Sequence, residues 1–304
     1  MKPITARAGF MLAVLAWPGL VAAQVHTAAS VRAPAVQGAG LCQFLLHHYT
    51  LPPQTEAQLN QVVGQALIQH RNAFGFGVDT DFHVRIRLFG QLESYLQFVR
   101  ADTQAAELVH GSLSLTNLAG YYSPATGELV TWRQTVPSDL ANVILHESSH
   151  AILHAHFHRL PVWLMEGCAT YFAFPHELQD QHDVRSIEAR WGLLNRWLRE
   201  TNLPPVAAFV NLDRPAWLRL SPARSYTISW SIFQFLMSTP QNRQVLQQFA
   251  WGLEREPKPE PNCAALLDQL YPGGLDKFEA DWHRWIQQTG AKVLDQAAPG
   301  RAAR

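Results

Sequence analysis

Apolar residues recur with two different periods in the first third of the chain. Between residues 55 and 74 they stand three or four positions apart, which predicts an amphipathic helix. Residues 82–89 (FHVRIRLF) alternate apolar and polar side chains, the pattern of a half-buried strand. Residues 91–100 return to the helical period. This third of the chain is therefore expected to combine strands with helices.

Further along, one predicted hairpin precedes a long helical region. The apolar runs 118–122 and 127–132 flank Ser-Pro-Ala-Thr, a turn sequence that suits a β-hairpin. We interpret Ser138 as the N-cap of the next helix, and Pro161 follows its expected end because proline cannot continue a helix. Residues 162–174 predict a further helix.

Beyond about residue 183 every apolar pattern has the helical period. The sequence therefore predicts an α+β fold. A mixed α/β N-terminal lobe, residues 41–160, is expected to carry a small sheet. An all-helical C-terminal lobe, residues 161–290, is expected to follow it. Residues 291–304 are expected to form a flexible tail.

The N-terminus has the pattern of a secretory signal peptide. Lys2 and Arg7 precede an apolar stretch, and small residues end at Ala23, so we expect residues 1–23 to be removed. The alternative is an uncleaved membrane anchor, for which the apolar run is short. Residues 24–40 are small and polar and are expected to be a flexible leader. The mature protein is expected in a periplasm or outside the cell.

Composition excludes one class of partner. The 304 residues include 24 basic and 24 acidic side chains, for a formal net charge of zero, and neither sign forms a long run. Nucleic-acid binding proteins carry concentrated positive charge, so no nucleic-acid partner is expected. After signal removal no segment suits stable membrane insertion. The sequence gives no indication of oligomeric state.

Three cysteines remain after signal removal, namely Cys42, Cys168 and Cys263. They allow at most one intramolecular disulfide, and the sequence does not decide among the three pairings. Their separation excludes a zinc ribbon of the CxxC type, so structural roles are expected.

Candidate chemistry is concentrated in residues 140–157, LANVILHESSHAILHAHF. His146 and His150 are four residues apart and therefore share one helix face, so both imidazoles can reach one ion. Zinc in catalytic sites takes three protein ligands and leaves a position for water. Glu147 is placed to act as a general base on that water. The alternative is a pair of histidines hydrogen-bonded to their neighbours.

A third metal ligand is expected from the next predicted helix. Glu166 follows His150 after fifteen residues and stands among apolar residues in PVWLMEGCATYF. A carboxylate from a neighbouring antiparallel helix would complete a site of two histidines and one glutamate. The alternative is an ordinary surface glutamate.

HESSH followed by PVWLMEGCATYF resembles the gluzincin zinc metallopeptidases, and within them the peptidase MA-like group. The resemblance implies a zincin-like fold with the sheet over the HExxH helix. It implies His146, His150 and Glu166 as zinc ligands and Glu147 as catalytic base. Several gluzincins use a tyrosine of the C-terminal lobe to stabilise the oxyanion, and Tyr226 is the candidate here.

Weaker candidates accompany this site. Tyr121 and Tyr122 in the hairpin are alternatives to Tyr226, which could instead be a core residue. The strand 127–132 is a candidate edge for an extended peptide. His154, His156 and His158 could support the site or bind a second ion, or simply complement the helix dipole.

The resemblance implies a zinc-dependent peptidase that acts on peptide or protein substrates. A catalytically inactive zincin-like binding or scaffold module of the cell envelope is the main alternative. A zinc hydrolase acting on another bond, such as a cell-wall cross-link, is a third. Neither the substrate nor the cleavage specificity follows from the sequence.

Overall fold

The computed structural model describes residues 35–37, 40–77, 82–102, 118–173, 181–256 and 262–297. The predicted signal peptide lies outside this part of the chain. Five strands form one mixed sheet in the order β1-β2-β3-β5-β4. Their bounds are β1 Ala35–Gln37, β2 Cys42–His47, β3 Val84–Phe89, β4 Gly120–Ser123 and β5 Glu128–Trp132. The three central strands are parallel, and β1 and β4 run antiparallel at the two edges.

The helices between and after these strands make the chain α+β. In chain order they are α1 Pro53–Phe74, α2 Leu92–Ala101, α3 Pro137–His156, α4 Val162–Phe172, α5 Gln181–Arg199, α6 Val206–Val210, α7 Arg214–Arg219, α8 Pro222–Met237, α9 Pro240–Arg255, α10 Cys263–Leu270 and α11 Gly274–Ala297. The predicted order of helix, strand, helix and hairpin in the first part of the chain is confirmed. None of the described helices has an apolar stretch long enough to cross a bilayer.

Several boundaries differ from the expectation. Residues 35–37, assigned to the leader, form β1 and pair with β2. Helix α11 continues to Ala297, past the expected start of the tail at residue 291. Ser138 is not the N-cap of α3, which begins at Pro137 with Val136 as its N-cap. Proline suits the first helical position because its fixed φ matches the helix and its missing N–H is not needed there.

The predicted substrate-binding edge is also misplaced. Strand β5, which contains all of the expected edge 127–132 except Gly127, lies between β3 and β4 and is hydrogen-bonded on both sides. The edge strand of the hairpin is β4. Gly120 allows β4 to lie against α3, since a Cβ there would stand 2.7 Å from Val143 Cγ1.

Helix α3 is shared by two cores. Its first half packs Leu140, Ile144 and Leu145 against α1 and the inner face of the sheet. Its second half packs Ile152 and Leu153 into the helical core formed with α4, α8 and α9. A small sheet therefore covers the HExxH helix, as expected, and the segment between the two halves lies at the junction of both cores.

Helix α4 is the central helix of the second core. Nine of its eleven residues are buried, including Trp163, Leu164 and Phe172. A helix that is apolar all round is stable only when other elements surround it. Any polar side chain on α4 is therefore forced into the protein interior, and Glu166 is such a residue.

The buried His70 on α1 gives the first testable consequence. Its side chain is fully buried, its Nδ1 lies 2.6 Å from the Ala66 carbonyl oxygen, and its ring lies 4.2 Å from that of Phe172. Burial lowers the pKa of His70 to about 4. Between about pH 6.5 and 4 the unfolded chain binds a proton at this site that the folded protein does not, so acid destabilises the fold.

We expect the metal-free protein to lose roughly 2–3 kcal/mol more unfolding free energy than a His70→Asn variant when pH falls from about 7.5 to about 4.5. Asparagine retains a donor for the Ala66 carbonyl but does not titrate. Urea denaturation of both proteins at both pH values, with chelator present, measures the difference. Equal losses would contradict the assignment.

Candidate metal centre

Three side chains converge where α3 meets α4. His146 and His150 project from one face of α3, with ring centroids 5.1 Å apart. The Oε2 atom of Glu166 lies 3.4 Å from His146 Nε2 and 3.7 Å from His150 Nε2. The structure therefore brings together the two histidines and the glutamate that the sequence predicted as metal ligands.

This geometry fits one tetrahedral ion. The three ligand atoms all lie within 4.8 Å of one another. Zinc bonds of about 2.0 to 2.2 Å at tetrahedral angles place neighbouring ligand atoms about 3.4 Å apart. The measured separations of 3.4 and 3.7 Å are close to that spacing. A single zinc ion would need little movement of these side chains to contact all three.

The burial and hydrogen bonding of Glu166 also support a bound cation at this position. Its side chain is only 8% exposed, and its Oε2 is buried without a hydrogen-bond donor among the described residues. A buried polar atom that lacks a partner is costly, and a bound ion is one of the ordinary ways in which such an atom is satisfied. A cation bound between Glu166 and the two imidazoles would satisfy this oxygen.

The protonation of the cluster is set by burial and by mutual charge. Burial opposes the charged form of Glu166, but the neighbouring charges of His150 and His146 lower its pKa to about 2. Burial lowers the pKa of His150 to about 4. Burial also acts against the charged form of His146, but its contact with Glu166 and the charge of Glu147 raise its pKa overall. In the metal-free protein the glutamate is therefore ionised, and His146 is the imidazole that takes up a proton beside it.

Glu147 lies beside the cluster without belonging to it. Burial raises its pKa to about 7, which the neighbouring charge of His146 partly opposes. The backbone N–H of Tyr122 on β4 donates a hydrogen bond to its carboxylate. The carboxylate therefore bridges from the HExxH helix to the edge strand. A carboxyl group with a pKa near neutrality is well suited to accept and return a proton.

Tyr226 on α8 lies next to the same cluster. Its ring centroid is 6.5 Å from that of His146, and the ring packs edge-on against Trp217 at 4.9 Å. Burial and the charge of Glu166 raise its pKa well above the usual value, so the phenol keeps its proton. Tyr226 is thus a neutral hydrogen-bond donor beside the predicted metal ligands.

The alternative tyrosines do not face the cluster in the same way. The phenol of Tyr121 donates to Asp102 Oδ2 at 2.5 Å and packs against α2, on the sheet face away from α3. The ring of Tyr122 lies 5.8 Å from His154 instead. Successive residues of a strand face opposite sides, which explains why the two side chains separate.

The other histidines of α3 have local partners. His156 stacks on Phe76 with ring centroids 3.9 Å apart. The backbone N–H of His158 lies 2.8 Å from Glu254 Oε2 and its Nδ1 lies 3.0 Å from Oε1 of the same carboxylate, which ties the end of α3 to α9. Among the described residues, only His146, His150 and Glu166 form a group of three that could hold an ion.

The three cysteines are on three different elements, and none belongs to this group. Cys42 is on β2, Cys168 on α4 and Cys263 on α10, and all three are buried thiols outside any disulfide. Burial raises the pKa of Cys42 and of Cys263 to about 12. Cys168 is fully enclosed in the helical core, and burial raises its pKa well above the usual value. Cys168 does not belong to the group of three described residues that could hold an ion.

Gly167 fixes how closely α8 approaches the site. A Cβ at this position would lie 2.4 Å from the backbone oxygen of Ser229 on α8. The absent side chain lets α8 pack directly against α4, and this brings Tyr226 beside Glu166. Gly167 stands in PVWLMEGCATYF, but its role does not follow from the sequence, since the helix that contacts it lies far along the chain.

Two arginines near the cluster could not be identified from the sequence. Arg214 begins α7, and its charge acts on Glu147, His150, Glu166 and Tyr226. Arg190 on α5 acts on His146 and Tyr226. Neither belongs to a recognisable motif, so only the fold identifies them.

No protein-family model matches the chain, and no curated protein matches it.

The fit to a metal ion can be tested directly. We expect the natural protein to bind one zinc ion, and Glu166→Gln to weaken its affinity at least about 100-fold because an anionic ligand is lost. Competition with a fluorescent chelator measures both affinities. Glu93→Gln, at a glutamate that is 68% exposed on α2, is the matched control and should bind zinc normally. Unchanged affinity in Glu166→Gln would exclude the proposed ligand set.

The close contact at Gly167 generates a separate prediction. Gly167→Ala should lower the unfolding free energy by about 1–3 kcal/mol, because the new methyl group overlaps the Ser229 backbone. Gly192→Ala on α5 is the control, since a Cβ there meets nothing within 4 Å. That change should be neutral or stabilise by up to about 1 kcal/mol. Chemical denaturation of the three proteins gives the comparison. Equal effects of the two changes would contradict the contact.

Proposed function

We propose that the protein is a periplasmic or secreted zinc-dependent peptidase of the gluzincin type, with a zincin-like fold. The observation that carries this proposal is the convergence of His146, His150 and the unsatisfied Glu166 oxygen, with a further carboxylate at Glu147. A buried carboxylate oxygen that accepts no hydrogen bond has a cost in stability, which a functional site accounts for.

The proposed ligands of the metal are His146, His150 and Glu166. Zinc bound there would polarise the scissile carbonyl and lower the pKa of a water molecule. Glu147 would accept the proton of that water as its oxygen attacks the scissile carbonyl, and would return the proton to the amine as the C–N bond breaks. Burial raises the pKa of Glu147 above the usual carboxyl value, which favours a group that accepts a proton and returns it.

Tyr226 is proposed to donate its phenolic proton as a hydrogen bond to the developing oxyanion. Its raised pKa keeps the proton on the phenol, and Trp217 holds the ring through an edge-on contact. A donor fixed in advance costs no reorganisation when charge develops. Losing this one donor should therefore slow turnover without preventing metal binding.

The peptide is proposed to bind along β4. This strand is the edge of the described sheet next to α3, and its Tyr122 N–H already contacts Glu147. An extended chain can add to such an edge through main-chain hydrogen bonds, which recognise any sequence. The scissile bond would then lie beside the general base.

Glu147→Gln is the decisive variant for this function. It should reduce peptide cleavage by at least about 1000-fold and leave zinc affinity within about twofold, because the side chain acts on the proton and does not bind the metal. A peptide-library digest, with and without chelator, measures cleavage. Glu93→Gln again serves as control. A natural protein that binds zinc and cleaves no peptide would instead favour the inactive binding or scaffold module.

A further inference from the structure

An aromatic face of α8 extends from the candidate site into the helical core. Tyr226 and Trp230 are four residues apart and therefore lie on the same face of this helix. The Tyr226 ring is near His146, and Trp230 continues the same face one turn further along. Arg190 on α5 lies near Trp230, and the exposed Arg214 is on α7, the helix that packs against Tyr226 through Trp217.

Arg190 approaches from α5. Its guanidinium carbon lies 5.8 Å from the centre of the Trp230 ring, and its charge reaches Tyr226 and His146. Stacking on an aromatic ring uses the flat face of a guanidinium and leaves its N–H edge able to donate. The side chain is half-buried, so little of its charge is dispersed into water.

Arg214 approaches from α7. Trp217 is three residues further along this helix, and it packs against Tyr226 and donates from Nε1 to Ser229 Oγ at 3.2 Å. Residues three apart share a helix face, so Arg214 stands on the side of α7 that is anchored to α8. Its charge acts on Glu147 and Glu166, which brings it within electrostatic range of the reacting groups.

Neither arginine has an ion-pair partner among the described residues. No carboxylate of this part of the chain lies within 4 Å of either guanidinium. Asp213, next to Arg214, instead accepts a hydrogen bond from the Ala216 N–H and caps α7. Both cations therefore retain hydrogen-bonding capacity for a ligand.

The charges around the site indicate that such a ligand would be negatively charged. Glu147 and Glu166 together offset a divalent cation. The two additional guanidinium groups leave an excess of positive charge near the site. Arginine binds carboxylates well because its planar fork matches their two oxygens.

We infer that the site prefers peptides that carry a carboxylate beside the scissile bond, held between Arg190 and Arg214. This inference rests on the proposed peptidase function. The carboxylate has two sources, namely the free C-terminus of the substrate and an acidic side chain. Both present the same two oxygens, and matched peptides separate them.

The experiment uses three peptides of one sequence. The first has a free C-terminus, the second is the C-terminal amide, and the third is the amide with one internal glutamine changed to glutamate. The kcat/KM of each is measured for the zinc-loaded natural protein and for Arg190→Ala and Arg214→Ala. Arg219→Ala is the matched control, since Arg219 is exposed on the same helix as Arg214 but five residues away and on a different face.

We expect one or both carboxylate peptides to be cleaved about tenfold better than the neutral amide. Arg190→Ala and Arg214→Ala should each reduce this ratio toward one, and Arg219→Ala should keep it. A preference for the free C-terminus alone identifies the chain end as the ligand, and a preference for glutamate alone identifies the side chain. Equal cleavage of all three peptides would overturn the inference and leave the proposed peptidase function intact.

Binding supplies a readout that does not require turnover. Calorimetric titration of the same peptides into the zinc-loaded Glu147→Gln variant should show the same tenfold preference, which adding Arg214→Ala removes. If no peptide is cleaved by the natural protein, the peptidase proposal fails while this titration still decides the inference. Equal affinity for acidic and neutral peptides would overturn it.

Discussion

The whole arrangement depends on a carboxylate held in the protein interior opposite two imidazoles. Glu166 is on a helix surrounded by apolar side chains, so its charge has little access to water. The contacts available to its buried Oε2 are the Nε2 atoms of His146 and His150. A divalent cation between the three groups compensates this buried anion better than the two imidazoles alone.

Helix α3 joins the two cores, because it contributes buried side chains to both. The sheet packs on the first half of the helix and the helical bundle on the second half, so the histidines are presented at the junction. Gly120 and Gly167 allow β4 and α8 to approach this junction closely from opposite sides. The edge strand, the Glu147 carboxylate and the Tyr226 phenol therefore lie close together, although β4 and Tyr226 are distant in sequence from Glu147.

The parts of this site that depend only on neighbouring residues could be predicted from the sequence. The spacing of His146 and His150 follows from the helical period, and Glu166 stands in an apolar helix whose burial its neighbours already imply. Strand order is different, because pairing across a sheet is a long-range property. Residues 127–132 have the composition of a strand, but nothing in them specifies that β3 pairs on one side and β4 on the other. The arginines were missed for the same reason, since α5 and α7 reach the site only through tertiary packing.

The most direct test of the central claim is a crystal structure of the zinc-loaded protein with diffraction measured at the zinc absorption edge. We expect one anomalous peak, with His146 Nε2, His150 Nε2 and a carboxylate oxygen of Glu166 each about 2.0 to 2.2 Å away. An ion bound elsewhere, or a Glu166 side chain that does not contact the zinc, would contradict it.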